Sequence, residues 1–121
     1  MKTRIEIPIT PITKKNHNQI IRVKNRYMVI PSKQYKQYER ECAVYLENVD
    51  PVLSPCNVKC LYYMPTHRRV DLVNLQEATL DILVKYGVLT DDNSSVVISM
   101  DGSRVLYDKE NPRTEIEIEE V

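Results

Sequence analysis

Alternating apolar and polar positions predict strands at the two ends of the chain. Residues 3–9 have isoleucine at positions 5, 7 and 9, and residues 113–121 alternate isoleucine with glutamate. Strict alternation turns the apolar side chains to one face of a strand and leaves the other face in water. Residues 57–64 are instead apolar on both faces. We therefore expect that strand to lie inside the sheet.

Turn residues between short apolar runs predict two hairpins. The first covers residues 19–30 and turns at Lys24-Asn25-Arg26, so its tip is unusually basic. The second joins a strand at 96–100 to a strand at 104–107 through Asp101-Gly102. We expect the two strands of each hairpin to pair with each other.

Apolar residues that recur at steps of three and four predict two helices. The first helix follows Ser32 as its N-cap, and its stripe consists of Tyr35, Tyr38, Cys42, Tyr45, Leu46 and Val49. The second runs from Leu72 to Tyr86, between Asp71 at the N-cap and Gly87 just beyond its end.

The order β, hairpin, α, β, α, β, β, β predicts an α+β fold in which a mixed β-sheet packs against two main helices. A chain of 121 residues can bury one core, so we expect residues 1–121 to form a single domain.

The charge is balanced overall but unevenly placed. The formal net charge is zero, yet residues 14–36 contain seven Lys or Arg and no acidic residue. Such asymmetry indicates a polyanionic partner, although a solvated basic loop would have the same composition.

The three cysteines lack the paired spacing of a zinc site and are expected to be buried free thiols. Because no apolar run is long enough for a membrane span, we expect a soluble, cytoplasmic protein.

Acidic and basic residues suitable for phosphate chemistry flank the second helix. Arg68 and Arg69 precede Asp71 at its start, and Asp91-Asp92 lies beyond its end. Carboxylates that hold Mg²⁺ beside cations that bind phosphates are typical of a metal-dependent nuclease. The helix separates Asp71 from Asp92 by about 20 Å, so they meet only if the chain after Gly87 folds back. The structural alternatives are a plain N-cap at Asp71 and an exposed turn at Asp91-Asp92.

One stretch resembles the signature of the RusA family of Holliday junction endodeoxyribonucleases. It comprises Arg68-Arg69-Val70-Asp71-Leu72-Val73-Asn74-Leu75, Ala78, Asp81, Gly87, Leu89, Asp91-Asp92 and Val96-Val97. The strand Ile5 to Ile9, followed by Pro11 and Lys14-Lys15-Asn16, also fits. The resemblance implies a RusA-like, Mg²⁺-dependent homodimer, often carried by phages. Such proteins cut four-way branched DNA by paired symmetric nicks in DNA recombination and repair.

Two positions depart from the familiar family pattern, which reads Asp-Leu-Asp-Asn-Leu and places a catalytic lysine shortly afterwards. This chain has Val73 at the second aspartate and Glu77 at the lysine. Residues four apart are neighbours on a helix, so Glu77 could supply the missing carboxylate. The alternatives are that Glu77 is an ordinary exposed residue, or that the site has weakened and the protein binds branched DNA without cleaving it. A protein with no DNA affinity is a further alternative.

The residues around the second helix and the resemblance to the family together define the predicted site. The predicted catalytic residues are Asp71, Asp92, Glu77 and Asn74, where the asparagine positions water or phosphate. The predicted metal ligands are Asp71, Asp92, Glu77 and Asp91, with only one residue of the Asp91-Asp92 pair expected to bind. The predicted DNA-binding residues are Lys14, Lys15, Asn16, Arg22, Lys24, Arg26, His67, Arg68 and Arg69. The replacement for the missing lysine remains open among Lys14, Lys15, Arg68 and Arg69, and His67 is a phosphate contact or a general base.

Overall fold

The fold follows the predicted order of strands and helices. The computed structural model describes residues 1–14, 19–30 and 32–121, with only the backbone described at 19, 21, 29 and 30. Its elements are β1 (Lys2–Ile7), β2 (Gln19–Val23), β3 (Arg26–Ile30), α1 (Lys33–Leu46), β4 (Cys56–Met64), α2 (Leu72–Lys85), β5 (Val97–Ser99), β6 (Arg104–Tyr107) and β7 (Arg113–Glu120). This confirms the α+β class and the mixed sheet with two main helices.

The main sheet has one face in the core and one face in water. Strand β7 lies between β1 and β4 and is antiparallel to both. Strand β4 pairs on its other side with β5 and β6, so it is an interior strand as predicted. Alternate residues of β1, β4 and β7 point into the core, and those buried residues are Ile5, Ile7, Cys56, Val58, Cys60, Tyr62, Thr114, Ile116 and Ile118. The opposite face carries ion pairs between strands, including Lys2 Nζ to Glu117 Oε1 at 3.3 Å. The alternation in the sequence therefore identified both faces.

The predicted pairing of residues 96–100 with 104–107 is wrong. Strands β5 and β6 both run parallel to β4 along the same edge, with Val97 opposite Cys56 and Arg104 opposite Leu61. Residues 101–102 form a turn between β5 and β6, and the Asn57 side chain on β4 accepts a hydrogen bond from the Asp101 N–H at 2.8 Å. The chain returns from α2 parallel to β4, and β4 is long enough to pair with both short strands in succession. Turn residues alone do not distinguish this arrangement from a hairpin.

The first hairpin forms as predicted, as a separate two-stranded sheet of β2 and β3. Its two-residue turn is Lys24-Asn25, with φ of +48° and +65°, the backbone geometry of a tight hairpin turn. Arg26 begins β3 instead of lying in the turn. The hairpin exposes apolar as well as basic side chains, and Tyr27 is 75 % exposed.

The helices lie on the core face of the sheet and begin where the sequence predicts. The Ser32 hydroxyl accepts a hydrogen bond from the Tyr35 N–H at 3.1 Å, which caps α1. The prediction that Tyr45 belongs to the buried stripe of α1 is wrong. Tyr45 is exposed, because it lies just outside the arc defined by Tyr35, Tyr38, Cys42 and Leu46. The three cysteines are buried free thiols, as expected. Within the described residues, no helix is long and apolar enough to cross a membrane.

Candidate functional site

The start of α2 presents a carboxylate that is not used for capping. Asp71 occupies the N-cap position, but its side chain makes no capping hydrogen bond to the helix. The carboxylate instead accepts a hydrogen bond from the Asn74 amide, Nδ2 to Oδ2, at 3.2 Å. Asp71 is exposed, so its remaining oxygen lone pairs face solvent. The interpretation of Asp71 as a plain N-cap therefore does not explain its side chain.

Farther along α2, Asp81 is surrounded by other carboxylates, whose negative charges act on it. Its partial burial raises the pKa of the carboxyl, the positive charge of Lys14 opposes this, and the carboxylates of Glu77, Asp92 and Glu39 raise the pKa further. The Lys14 ammonium lies 3.8 Å from Asp81 Oδ2. The structure thus brings Glu77 and Asp92 each within electrostatic reach of Asp81, with Lys14 as the neighbouring cation.

Asp81 belongs to the stretch that resembles the family signature but is not among the predicted site residues. The sequence did contain a signal for it. Asp71, Asn74 and Asp81 are three and then seven residues apart, a spacing that keeps them on one side of a helix. Asp81 lies between the two ends of α2, away from the acidic residues at Asp71 and Asp91-Asp92 that define the predicted site.

The turn that follows α2 gives its two aspartates different surroundings. Asp91 holds the turn together, because Oδ1 accepts from the Asp92 N–H at 2.7 Å and Oδ2 accepts from the Asn93 side chain at 3.1 Å. Asp92 is exposed, and its charge acts on Asp81 of α2. Of the pair, Asp92 is therefore the residue whose charge acts on an acidic residue of α2.

The carboxylates form two groups along α2. Asp71 and Asn74 lie at the helix start, while Asp81 lies ten residues later, about 15 Å along the axis. Across residues 1–14, 19–30 and 32–121, no three His, Cys, Asp or Glu side chains are grouped closely enough to hold a metal ion. Mg²⁺, however, is commonly bound through one or two carboxylates together with substrate phosphates and water. The hard oxygen donors on α2 fit that mode of binding.

Exposed cations border the start of α2. Arg68 and Arg69 lie in the loop between β4 and α2, and His67 in the same loop stacks on Tyr107 with ring centroids 3.9 Å apart. The side chains of Arg22, Lys24 and Arg26 are exposed on the β2–β3 hairpin, where Arg22 Nη2 donates to Asn25 Oδ1 at 3.1 Å. The predicted contacts Lys15 and Asn16 lie outside the described residues. The structure therefore places one basic group beside Asp71 and a second on the hairpin.

An acidic helix face bordered by exposed arginines, on an α+β scaffold, defines a class of proteins suited to the phosphodiester backbone of nucleic acids. The family model described as Endodeoxyribonuclease RusA matches residues 8–119, nearly the whole chain. The chain therefore belongs to the RusA endodeoxyribonuclease family, which confirms the resemblance drawn from the sequence. A search of curated proteins found no match.

Proposed function

We propose that this protein is a Mg²⁺-dependent endodeoxyribonuclease that resolves Holliday junctions by paired symmetric nicks, in DNA recombination and repair. The observation that carries this proposal is the acidic face of α2 in a chain of the RusA family. Asp71 with Asn74, and Glu77 with Asp81 and Asp92, place oxygen donors beside Lys14, Arg68 and Arg69. The reaction is hydrolysis of a phosphodiester by water.

Each of these residues has a proposed role in that reaction. Asp71 and Asp92 would each hold Mg²⁺ within its own acidic group, together with phosphate oxygens and water. The ion would supply a water molecule of lowered pKa and would neutralise charge on the leaving oxygen. Asn74 donates to Asp71 through its amide nitrogen, so its carbonyl oxygen remains available to orient water. Arg68 and Arg69 bind phosphate oxygens beside the cut. Lys14, already next to Asp81, is the best-placed substitute for the missing lysine.

Glu77 is proposed to replace the carboxylate lost at Val73. Val73 is 69 % exposed at the second position of α2, where an aspartate would meet solvent and substrate. Glu77 lies one turn later and acts electrostatically on Asp81. A helical side chain leans toward the helix N-terminus, so the longer Glu77 extends back toward position 73.

A Glu77→Ala substitution tests this replacement. We expect Glu77→Ala to slow junction cleavage by about 100-fold or more, as for loss of a ligand or general base, while junction binding persists. Glu47→Ala, which removes an exposed glutamate just after α1, is the matched control and should cleave normally. If Glu77→Ala cuts as fast as the parent protein, Glu77 is not a ligand.

Paired nicking is proposed to require a homodimer. A two-fold axis would place two equivalent sites opposite two symmetry-related DNA strands. The exposed Arg22, Lys24 and Arg26 of the hairpin would then hold the arms of the junction through their phosphates. Sedimentation of the protein with and without junction DNA measures the number of subunits bound.

A catalytically weakened DNA-binding protein is the second candidate. It is favoured by Val73 in place of an aspartate and by the lack of a three-carboxylate group in the described ranges, 1–14, 19–30 and 32–121. This candidate predicts a bound four-way junction in EDTA and no nicks with Mg²⁺ or Mn²⁺. The proposed nuclease binds in EDTA and nicks when Mg²⁺ is added.

A further inference from the structure

We propose that His67 and Tyr107 form a stacking platform for a nucleobase that leaves the DNA stack at the branch point, next to the phosphate to be cut. This inference rests on the proposed function and names a part of the DNA that the site recognises. It adds Tyr107 to the residues that contact the substrate.

The two rings form one stacked unit. Their centroids are 3.9 Å apart and their planes are inclined by 27°. Tyr107 is the last residue of β6, and His67 lies in the loop that leads from β4 to α2. The hydrogen bond from the Asp108 N–H to the Met64 carbonyl, at 2.9 Å, ties the end of β6 to the end of β4. This hydrogen bond holds the end of β6, which carries Tyr107, beside the start of the loop that carries His67.

The platform is exposed, although its members are aromatic. Tyr107 is 45 % exposed and His67 is also exposed. A pair that served only to fasten the loop would exclude water by packing under neighbouring side chains. In a stacked pair, each ring covers one face of the other, and exposure of both residues leaves further ring surface accessible. That surface can accept a planar group.

The surroundings of the platform select a nucleobase among planar groups. Arg68 and Arg69 directly follow His67, so cations for phosphates lie next to the aromatic surface. Asp71 lies four residues after His67, at the start of the helix that carries the acidic face. A base on the platform and its phosphate on the arginines would bring the neighbouring phosphodiester toward Asp71. Stacking on an aromatic ring tolerates any base, which suits recognition of branched structure.

The experiment uses a four-way junction with 2-aminopurine at the branch point, titrated with the full-length protein in EDTA. Stacking on an aromatic ring quenches the fluorescence of 2-aminopurine, while a separate end label reports binding. Tyr107→Phe keeps the ring, whereas Tyr107→Leu and His67→Leu each remove half of the platform. Tyr45→Leu is the matched control, because Tyr45 is 40 % exposed on α1.

We expect the probe to stay quenched when the parent protein, Tyr107→Phe or Tyr45→Leu binds, because the base exchanges the DNA stack for the protein rings. With Tyr107→Leu or His67→Leu the base loses part of this ring surface, so the probe should brighten and the junction should bind roughly tenfold less tightly. Since His67 lies in an exposed loop, His67→Leu tests the platform even if Tyr107→Leu fails to fold. Binding and quenching equal to the parent in either leucine variant, with circular dichroism confirming its fold, would overturn the platform alone. A parent protein that does not bind the junction would overturn the proposed function as well.

Discussion

At the scale of single residues, the site depends on whether a carboxylate one helical turn away can replace the one missing at Val73. Val73 is exposed, so substitution there disturbs no core packing. An aspartate at this position would also lie near the N-terminus of α2, where the helix dipole favours negative charge. Residue 73 is therefore a suitable place to restore the family pattern and to test the role of Glu77.

The double variant Val73→Asp/Glu77→Ala should recover most of the cleavage rate lost in Glu77→Ala, to within about tenfold of the parent, because it returns one carboxylate to the site. Val73→Asn/Glu77→Ala has nearly the same shape without the charge and should remain inactive. Cleavage rates on one junction at fixed Mg²⁺ compare the variants. Equal rates in the two double variants would show that the charge at position 73 does not matter.

Asp81 gives a pH-dependent prediction at the same scale. Burial, together with the charges of Glu77, Asp92 and Glu39, raises the pKa of Asp81 in the folded protein. The ionised carboxylate is therefore disfavoured by folding, and the stability that the protonated form contributes is lost as pH rises through the folded pKa. We expect Asp81→Asn to unfold at a higher urea concentration than the parent at pH 7, with a gain below about 1 kcal/mol.

The gain from Asp81→Asn should shrink as the pH is lowered below the ordinary range of an aspartate, where Asp81 is protonated in both states. Urea unfolding at a series of pH values measures this. A loss of stability in Asp81→Asn at pH 7 would mean that the pairing of Asp81 with Lys14 outweighs its burial and the repulsion from its acidic neighbours.

At the scale of elements, one buried hydrogen bond connects the sheet to the helix that carries the site. The Tyr62 hydroxyl on β4 lies 2.8 Å from Thr79 Oγ1 on α2, and Thr79 Oγ1 donates in turn to the Leu75 carbonyl at 3.0 Å. Since the threonine proton is used within the helix, Tyr62 is the donor. Burial raises the pKa of Tyr62 far above its ordinary value, so this proton is always present.

Tyr62→Phe removes that donor and should lower the free energy of unfolding by about 1 kcal/mol. Thr79 keeps its bond to the Leu75 carbonyl, so the variant leaves no buried donor unpaired. Tyr63→Phe alters the neighbouring residue on the other face of β4 and is the control. Urea unfolding provides both values, and an unchanged stability in Tyr62→Phe would show that the bond does not anchor α2.

The sequence predicted the elements themselves well, because their signals are local. The cap at Ser32, the turn at Lys24-Asn25 and the glycine at position 87, with φ of +79°, each act within a few residues. The partner of β6 was predicted wrongly because strand pairing depends on the direction in which the chain returns from α2. That direction depends on the whole sheet, and the residues of the turn do not indicate it.

At the scale of the whole molecule, the family and the acidic face of α2 could be predicted from the sequence, but the grouping of the acids could not. Spacing along the chain indicated that Asp71 and Asp92 would meet only if the segment after Gly87 folded back. In the structure the charge of Asp92 raises the pKa of Asp81, a residue that is not among the predicted site residues. Tertiary folding decides which charged groups lie close enough to interact. No residue pattern near Asp92 indicates that its charge acts on Asp81.

The most direct test is cleavage of a synthetic four-way junction in which each strand carries a 5′ label in turn. We predict paired nicks at symmetric positions in two opposed strands with Mg²⁺, no nicks in EDTA, and no cutting of linear duplex of the same sequence. Asp92→Asn should bind the junction and leave it uncut. Junction binding without nicks in Mg²⁺ or Mn²⁺, or equal cutting of linear duplex, would contradict a junction-resolving nuclease.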